Sequence, residues 1–230
     1  MALLPESFLE LCQDLVKESP ISGTFTTVSG VTNEFERVVN WVAASCVEIE
    51  AAFLNWNFLS AFAYTFATVS SVSDYPVPAD WNWWDQQAFN IPADEQMLEF
   101  TPWHEQKLDP TALQAGDPYR FTELPNGTIR LYDTPSSVVT ILAPYWKKPS
   151  KLVNNTDTPL IPAIYRKIIT YRALKLYAEY ASNDEIDQKA RDGLALWFPR
   201  LMAKELPANQ GIQSLNTGMN IQATVENRAS

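Results

Sequence analysis

The chain has 230 residues, of which 46% are hydrophobic and 12% aromatic, enough for one good core and a second small domain. Its net charge of −10 argues against a sequence-specific DNA binder. No apolar run approaches the roughly 20 residues that span a membrane, and the N-terminus lacks the basic-then-apolar order of a signal peptide, so the chain reads as one made and folded in a cytoplasm.

A first amphipathic helix is expected over about Glu6 to Lys17, with Phe8, Leu11 and Leu15 on its apolar face. Pro20, Gly23 and Gly30 then mark a loop. The second helix is the most distinctive stretch of the chain. Phe35, Val38, Val39, Val42, Cys46, Ile49, Phe53 and Trp56 recur at helical spacing, so the helix is expected to end near Trp56 or Leu59. Thr32 or Asn33 can cap it, and Glu34 and Glu36 suit the positive end of its dipole. Cys12 and Cys46 lie among apolar residues of these helices and read as buried reduced thiols.

The pattern then changes period. Ala61 to Val72 alternates aromatic and small polar residues, as a strand does, until Pro76 and Pro78 break it. Asp80 to Asp109 reads as irregular and acidic, rich in tryptophan. A β-meander follows: Tyr119 to Glu123, a tight turn at Pro125-Asn126-Gly127, Thr128 to Tyr132, a second turn at Asp133 to Ser136, and Ser137 to Trp146. Pro149 to Pro162 is a connecting loop. Ala163 to Tyr180 is predicted as a third helix, apolar around much of its circumference and therefore central. A fourth is capped by Ser182 or Asn183 and carries Ile186, Ala190, Leu194, Trp197 and Leu201, with Pro199 expected to kink or restart it. Helical periodicity fades after Pro207, where Ile212, Leu215, Met219 and Ile221 are spaced along a polar segment.

These elements define an α+β protein. A bundle of about four helices is expected, with an inserted antiparallel β lobe and an extended C-terminal arm. The corresponding segments are residues 1–59, 60–150, 151–206 and 207–230.

Charge is unevenly spread. Asp80, Asp85, Asp94, Glu95, Glu99, Glu105, Asp109, Asp117 and Glu123 face only Lys107 and Arg120 in their segment. From Lys147 to Lys175 the balance reverses, with Lys147, Lys148, Lys151, Arg166, Lys167, Arg172 and Lys175 against Asp157 alone. Such asymmetry suits the docking of one copy on another, basic face to acidic face; it equally suits a solvated surface.

Catalytic signals are weak. The single histidine, His104, has no second histidine or nearby cysteine with which to hold a metal. No phosphate-binding glycine loop and no nucleophile elbow is present. Paired carboxylates such as Asp94 and Glu95 are too common here to mark a glycosidase. The Trp81, Trp83 and Trp84 cluster can stack on sugar rings, or form the core of a glycine-poor lobe. Tyr145-Trp146-Lys147-Lys148 can touch a nucleic-acid backbone, or simply end a strand with solvated lysines. We therefore expect no enzyme, no catalytic or metal-ligating residues and no cofactor, but a structural or interaction role.

Five segments carry a resemblance in their order and spacing. They are Phe35 to Leu59 with its Val-Val-Asn-Trp-Val core; Tyr75-Pro76-Val77-Pro78-Ala79-Asp80; Gly116-Asp117-Pro118-Tyr119-Arg120-Phe121; Ile129-Arg130-Leu131-Tyr132 with Pro135; and Tyr145-Trp146-Lys147-Lys148-Pro149 followed by Asp157-Thr158-Pro159-Leu160-Ile161-Pro162. Over roughly Leu4 to Leu206 the chain resembles the head-to-tail adaptor, or connector, proteins of short-tailed bacteriophages. One proline stands after the middle strand, at Pro135, where the family pattern has Pro-x-Pro.

The resemblance implies a virion structural protein of the neck, assembled in the host cytoplasm. It would form a ring, usually a dodecamer, between the portal and the tail nozzle, with a central channel through which DNA passes during genome ejection without sequence-specific binding. The partners implied are the portal protein, tail proteins and further copies of itself, with no membrane. A C-terminal arm would bind the portal, for which Ile212, Leu215, Met219 and Ile221 are the anchors. Lys147, Lys148, Lys151, Arg166, Asn126, Gly127 and Trp84 are the inter-subunit or tail-facing candidates. The competing readings are a carbohydrate-binding phage protein using the tryptophan cluster, and another head-completion or tail-tube protein.

Overall fold

The computed structural model describes residues 7–105 and 114–207. The helices are α1 (Phe8–Glu18), α2 (Glu34–Ala51), α3 (Lys167–Ala181) and α4 (Asp184–Glu205). The strands are β1 (Ser60–Ala61), β2 (Thr65–Ala67), β3 (Asp74–Tyr75), β4 (Trp81–Trp84), β5 (Asn90–Ile91), β6 (Gln96–Met97), β7 (Glu99–Phe100), β8 (Ala115–Gly116), β9 (Arg120–Glu123), β10 (Ile129–Tyr132), β11 (Thr134–Pro135), β12 (Thr140–Leu142) and β13 (Tyr145–Lys147). The chain is thus α+β. It divides into two compact units: the described residues up to Leu54 and from Ser150 onward make one, and Asn55–Pro149 the other.

In the helical unit α3 packs against α1, α2 and α4. Its composition requires this, because Ile168, Ile169, Ala173, Leu174, Tyr177 and Ala178 are buried on more than one face. Ile164, expected on this helix, instead lies in a 3₁₀ turn ahead of it and is exposed. α1 begins with a capping box: Ser7 Oγ accepts from the Glu10 amide, and the Glu10 carboxylate accepts from the Ser7 amide. α2 ends at Ala51, short of the expected Trp56, and Asn33 precedes it without a side-chain cap.

α4 runs unbroken through Pro199. The restart expected there does not occur. Pro199 and Ala195 are both exposed, so the carbonyl that loses its donor can turn to solvent. Gly193 is buried, and a Cβ at that position would run into the Tyr171 ring of α3. Gly193→Ala is therefore expected to force α3 and α4 apart and cost about 1–3 kcal/mol, read as a lowered urea midpoint at unchanged slope.

Among its described residues the second unit holds four small sheets, in the orders β1-β13-β4, β3-β10-β9-β7, β11-β8 and β2-β12-β5-β6. Most pairs are antiparallel, but β7 with β9 and β11 with β8 run parallel. The meander expected from sequence is only partly present. β9 and β10 form the hairpin, but the other neighbour of β10 is β3, not the strand that follows it. Ser137 to Trp146 is not one strand: β12 and β13 flank Ala143-Pro144 and belong to different sheets. The Asp133 to Ser136 turn contains β11, and the segment after Asp80, expected to be irregular, supplies β4 to β7.

Candidate interaction surfaces

The Asn126-Gly127 turn is a three-residue loop. The Gly127 amide donates to Leu124 O at 2.7 Å, the Leu124 amide donates to Thr128 O at 2.9 Å, and only Gly127, at φ 83°, takes the left-handed conformation. The loop is therefore a type I turn closed by a left-handed glycine, rather than a two-residue turn with two positive φ angles. Asn126 is exposed at its tip, while Gly127 is buried against the face of Trp81.

The tryptophans secure this loop from below. Trp84 Nε1 donates to Gly127 O at 2.8 Å. The Trp84 ring packs edge-to-face on Phe89 and Tyr145, with centroids 5.5 and 5.6 Å away, and Phe89 stacks on Phe121 at 4.0 Å. Trp84 is 2% exposed, so its assignment as a partner-facing residue is corrected: it is the centre of the core. Trp83 stacks on Trp146 at 4.0 Å with planes 4° apart. The three rings thus form no common open platform for a sugar.

The basic stretch is largely engaged within the chain. Lys147 Nζ lies 3.4 Å from the Asp80 carboxylate, which also accepts from the Tyr145 hydroxyl at 2.6 Å. Burial pushes the Asp80 carboxyl up, but the Tyr145 hydrogen bond and Lys147 outweigh it and hold it below its usual range. Arg166 donates to the carbonyls of Ile161 at 2.9 Å and Pro159 at 3.2 Å, so its guanidinium fixes the entry to α3 instead of offering itself to a neighbour. Arg172 pairs with Glu48 of α2 at 2.6 Å. Lys167 bridges Asp14 and Glu18 of α1, both at 2.8 Å, and Lys189 of α4 reaches Glu18 at 2.7 Å. Of the candidate cations, Lys148 and Lys151 are the exposed ones.

This three-helix network gives the acid limb a definite sign. Hydrogen bonds from Lys167 and then Lys189 hold the Glu18 carboxyl below its usual value. A lowered folded value means stability that is present above about pH 4.3, the unfolded value, and is lost as pH falls through the folded one. Glu18→Gln should therefore flatten the loss of stability in that acid window, measured by urea unfolding at pH 2.5 to 5. The Lys167 ammonium is pushed down by burial but raised overall by Asp14 and Glu18.

One residue of the helical unit escaped the sequence reading. Glu50 of α2 is fully buried. Its carboxylate accepts from the Ser150 amide, from Ser150 Oγ at 2.9 Å and from the Leu160 amide at 3.1 Å, with the Cys46 thiol 3.6 Å away. The signal was available: Val42, Cys46 and Glu50 stand at i, i+4 and i+8, so a carboxylate falls on the apolar stripe.

The other candidates carry little chemistry. His104 is exposed in a 3₁₀ turn, its Nε2 3.9 Å from Glu105. Both cysteines are free and buried, and burial raises both thiol pKa values. Ile212, Leu215, Met219 and Ile221 lie outside the described residues. No helix among the described residues is long and apolar enough to cross a membrane.

The family model for SU10 adaptor protein matches residues 8–218, and the chain belongs to that family. It is a phage adaptor, a structural component of the virion. No curated protein matches the chain.

Proposed function

We propose that this adaptor forms a ring, with about twelve copies, between the portal and the tail nozzle, and that its channel passes DNA without sequence-specific contacts. The match to the adaptor family over residues 8–218 carries this reading. A ring needs two different faces on each subunit that match each other. The exposed Lys148 and Lys151 offer basic positions, and the exposed Asp94 and Glu95 offer acidic ones. The exposed tip at Asn126 suits a contact with a tail protein. Residues 207–230 act as the arm that clasps the portal through Ile212, Leu215, Met219 and Ile221. The bundle with its inserted lobe is the scaffold for both.

Cosedimentation of the full-length protein with the portal encoded near its gene tests this, with the mass of the complex read directly. A stable complex holding about twelve copies is the expected result. A protein that stays in the supernatant as a monomer overturns it.

A further inference from the structure

Strand β2 ends the sheet β2-β12-β5-β6, and among the described residues no strand pairs with its outer side. The direction of its backbone groups follows from its neighbours. Tyr64 O accepts from the Ala143 amide at 2.9 Å, and the Thr68 amide donates to Val139 O at 2.8 Å. Tyr64, Phe66 and Thr68 therefore bond toward β12, and by antiparallel alternation the N–H and C=O of Thr65 and Ala67 point outward. Both residues are exposed. The outer row stops at Val69, whose amide donates to the Tyr75 hydroxyl at 3.0 Å.

That row is complementary to a copy of itself. Two such strands laid antiparallel, with Phe66 beside Phe66, put Thr65 of one opposite Ala67 of the other. Each of these residues offers a donor and an acceptor, so the facing pair exchanges both backbone bonds, and a two-fold axis beside Phe66 repeats the exchange. The side chains agree with the backbone. Phe66 packs on the Tyr75 ring, with centroids 4.9 Å apart, on the covered face of the sheet. The other face carries Thr65, Ala67 and Val69, and, following the β12 register, Val138 and Thr140. Val69 is 56% exposed and Val138 72%. Pairing β2 with β2 brings these uncharged faces of two copies side by side.

Charge selects the same partner. With a net charge of −10, like-charge repulsion opposes contact between most surfaces of two copies. Leu59 to Ser73 contains no charged residue and no proline, so β2 lacks the devices that keep edges apart. Strands at other sheet ends have an acid at or beside them: β3 carries Asp74, β7 carries Glu99, β4 lies between Asp80 and Asp85, and β6 follows Asp94 and Glu95.

We propose that β2 is a self-recognition edge, on which two copies of this chain join their sheets antiparallel with Thr65 of each opposite Ala67 of the other. The contact is isologous, so it closes at two copies and leaves the remaining surfaces of each available. The pairing belongs to the free chain and does not depend on the ring. The added ladder is short, so the pair dissociates on dilution.

Disulfide cross-linking of the full-length protein tests the register. Cys12 and Cys46 are buried and stay out of the reaction. Hydrogen-bonded partners stand about 5.5 Å apart at Cα, within reach of a disulfide. Oxidation of an equimolar mixture of Thr65→Cys and Ala67→Cys should give a covalent dimer with one copy of each. Either variant alone should give at least ~10-fold less, because its two cysteines lie two residues out of register, beyond the ~7 Å limit. Ala67→Pro removes an outward donor and spares the bonds to β12. It should sediment as a monomer at concentrations where the parent protein is dimeric, with slow exchange of the Phe66 amide reporting an intact sheet. A parent protein that is monomeric at every concentration overturns the proposal. So does a mixture that fails to cross-link, a Thr65→Cys protein that cross-links equally well alone, or an Ala67→Pro protein that still pairs.

Discussion

Trp84→Ala is expected to cost about 3–5 kcal/mol, the range for removing a fully buried large aromatic. The loss has two parts. The cavity opens between Phe89 and Tyr145, and Gly127 O loses its indole donor at the same time. Trp84→Phe separates them, since it keeps most of the ring and removes the N–H, and should cost about 1–3 kcal/mol. Thermal melts followed by near-ultraviolet circular dichroism give both values. If Trp84→Ala melts like the parent protein, the aromatic cluster is not the core of its unit.

Glu50→Ala should cost about 3–5 kcal/mol for a different reason. The Ser150 amide and hydroxyl would lose their acceptor, and the Leu160 amide would keep only Ser150 Oγ at 3.0 Å. Each hydrogen bond to a charged group contributes about 1.5–3 kcal/mol, and the three act on one carboxylate, so they do not simply add. Glu50→Gln keeps one acceptor oxygen but turns an NH₂ toward a donor, and should fall between. A double-mutant cycle with Ser150→Ala measures the coupling carried by the hydroxyl, which links Glu50 and the Leu160 amide, and a coupling near zero would contradict the geometry.

The helices were legible because they are long enough for period to speak. α1, α2, α3 and α4 each repeat their apolar stripe over several turns, and even the central place of α3 follows from its having too many apolar residues for one face. The strands were not, because they run to only two to four residues and pair across long separations. Asp74 meets Arg130 with two hydrogen bonds of 2.7 Å, and β2 meets β12, yet no local pattern announces either. Trp81-Asn-Trp-Trp breaks the alternation that marks a strand, so β4 carries no strand signal in the sequence. Ala143-Pro144 looked continuous with its flanks, although it marks where the chain passes from one sheet to another. Composition located the lysines but not their carboxylate partners, which come from distant segments, Asp80 for Lys147 and Asp14 for Lys167.

The central position of α3 also has a consequence for the order of events during synthesis. α1 and α2 emerge first, but the helix they pack on begins at Lys167, after the whole of Asn55–Pro149 has been made. At ~5–20 residues per second, the parts of the α1 and α2 stripes that pack on α3 stay uncovered for several seconds, although α1 and α2 can meet each other. α3 and α4, joined by a short connection, form a local hairpin that needs no such wait. α3 and α4 therefore close the unit, and a chaperone that holds α2 during that interval would govern the yield of assembly-competent protein.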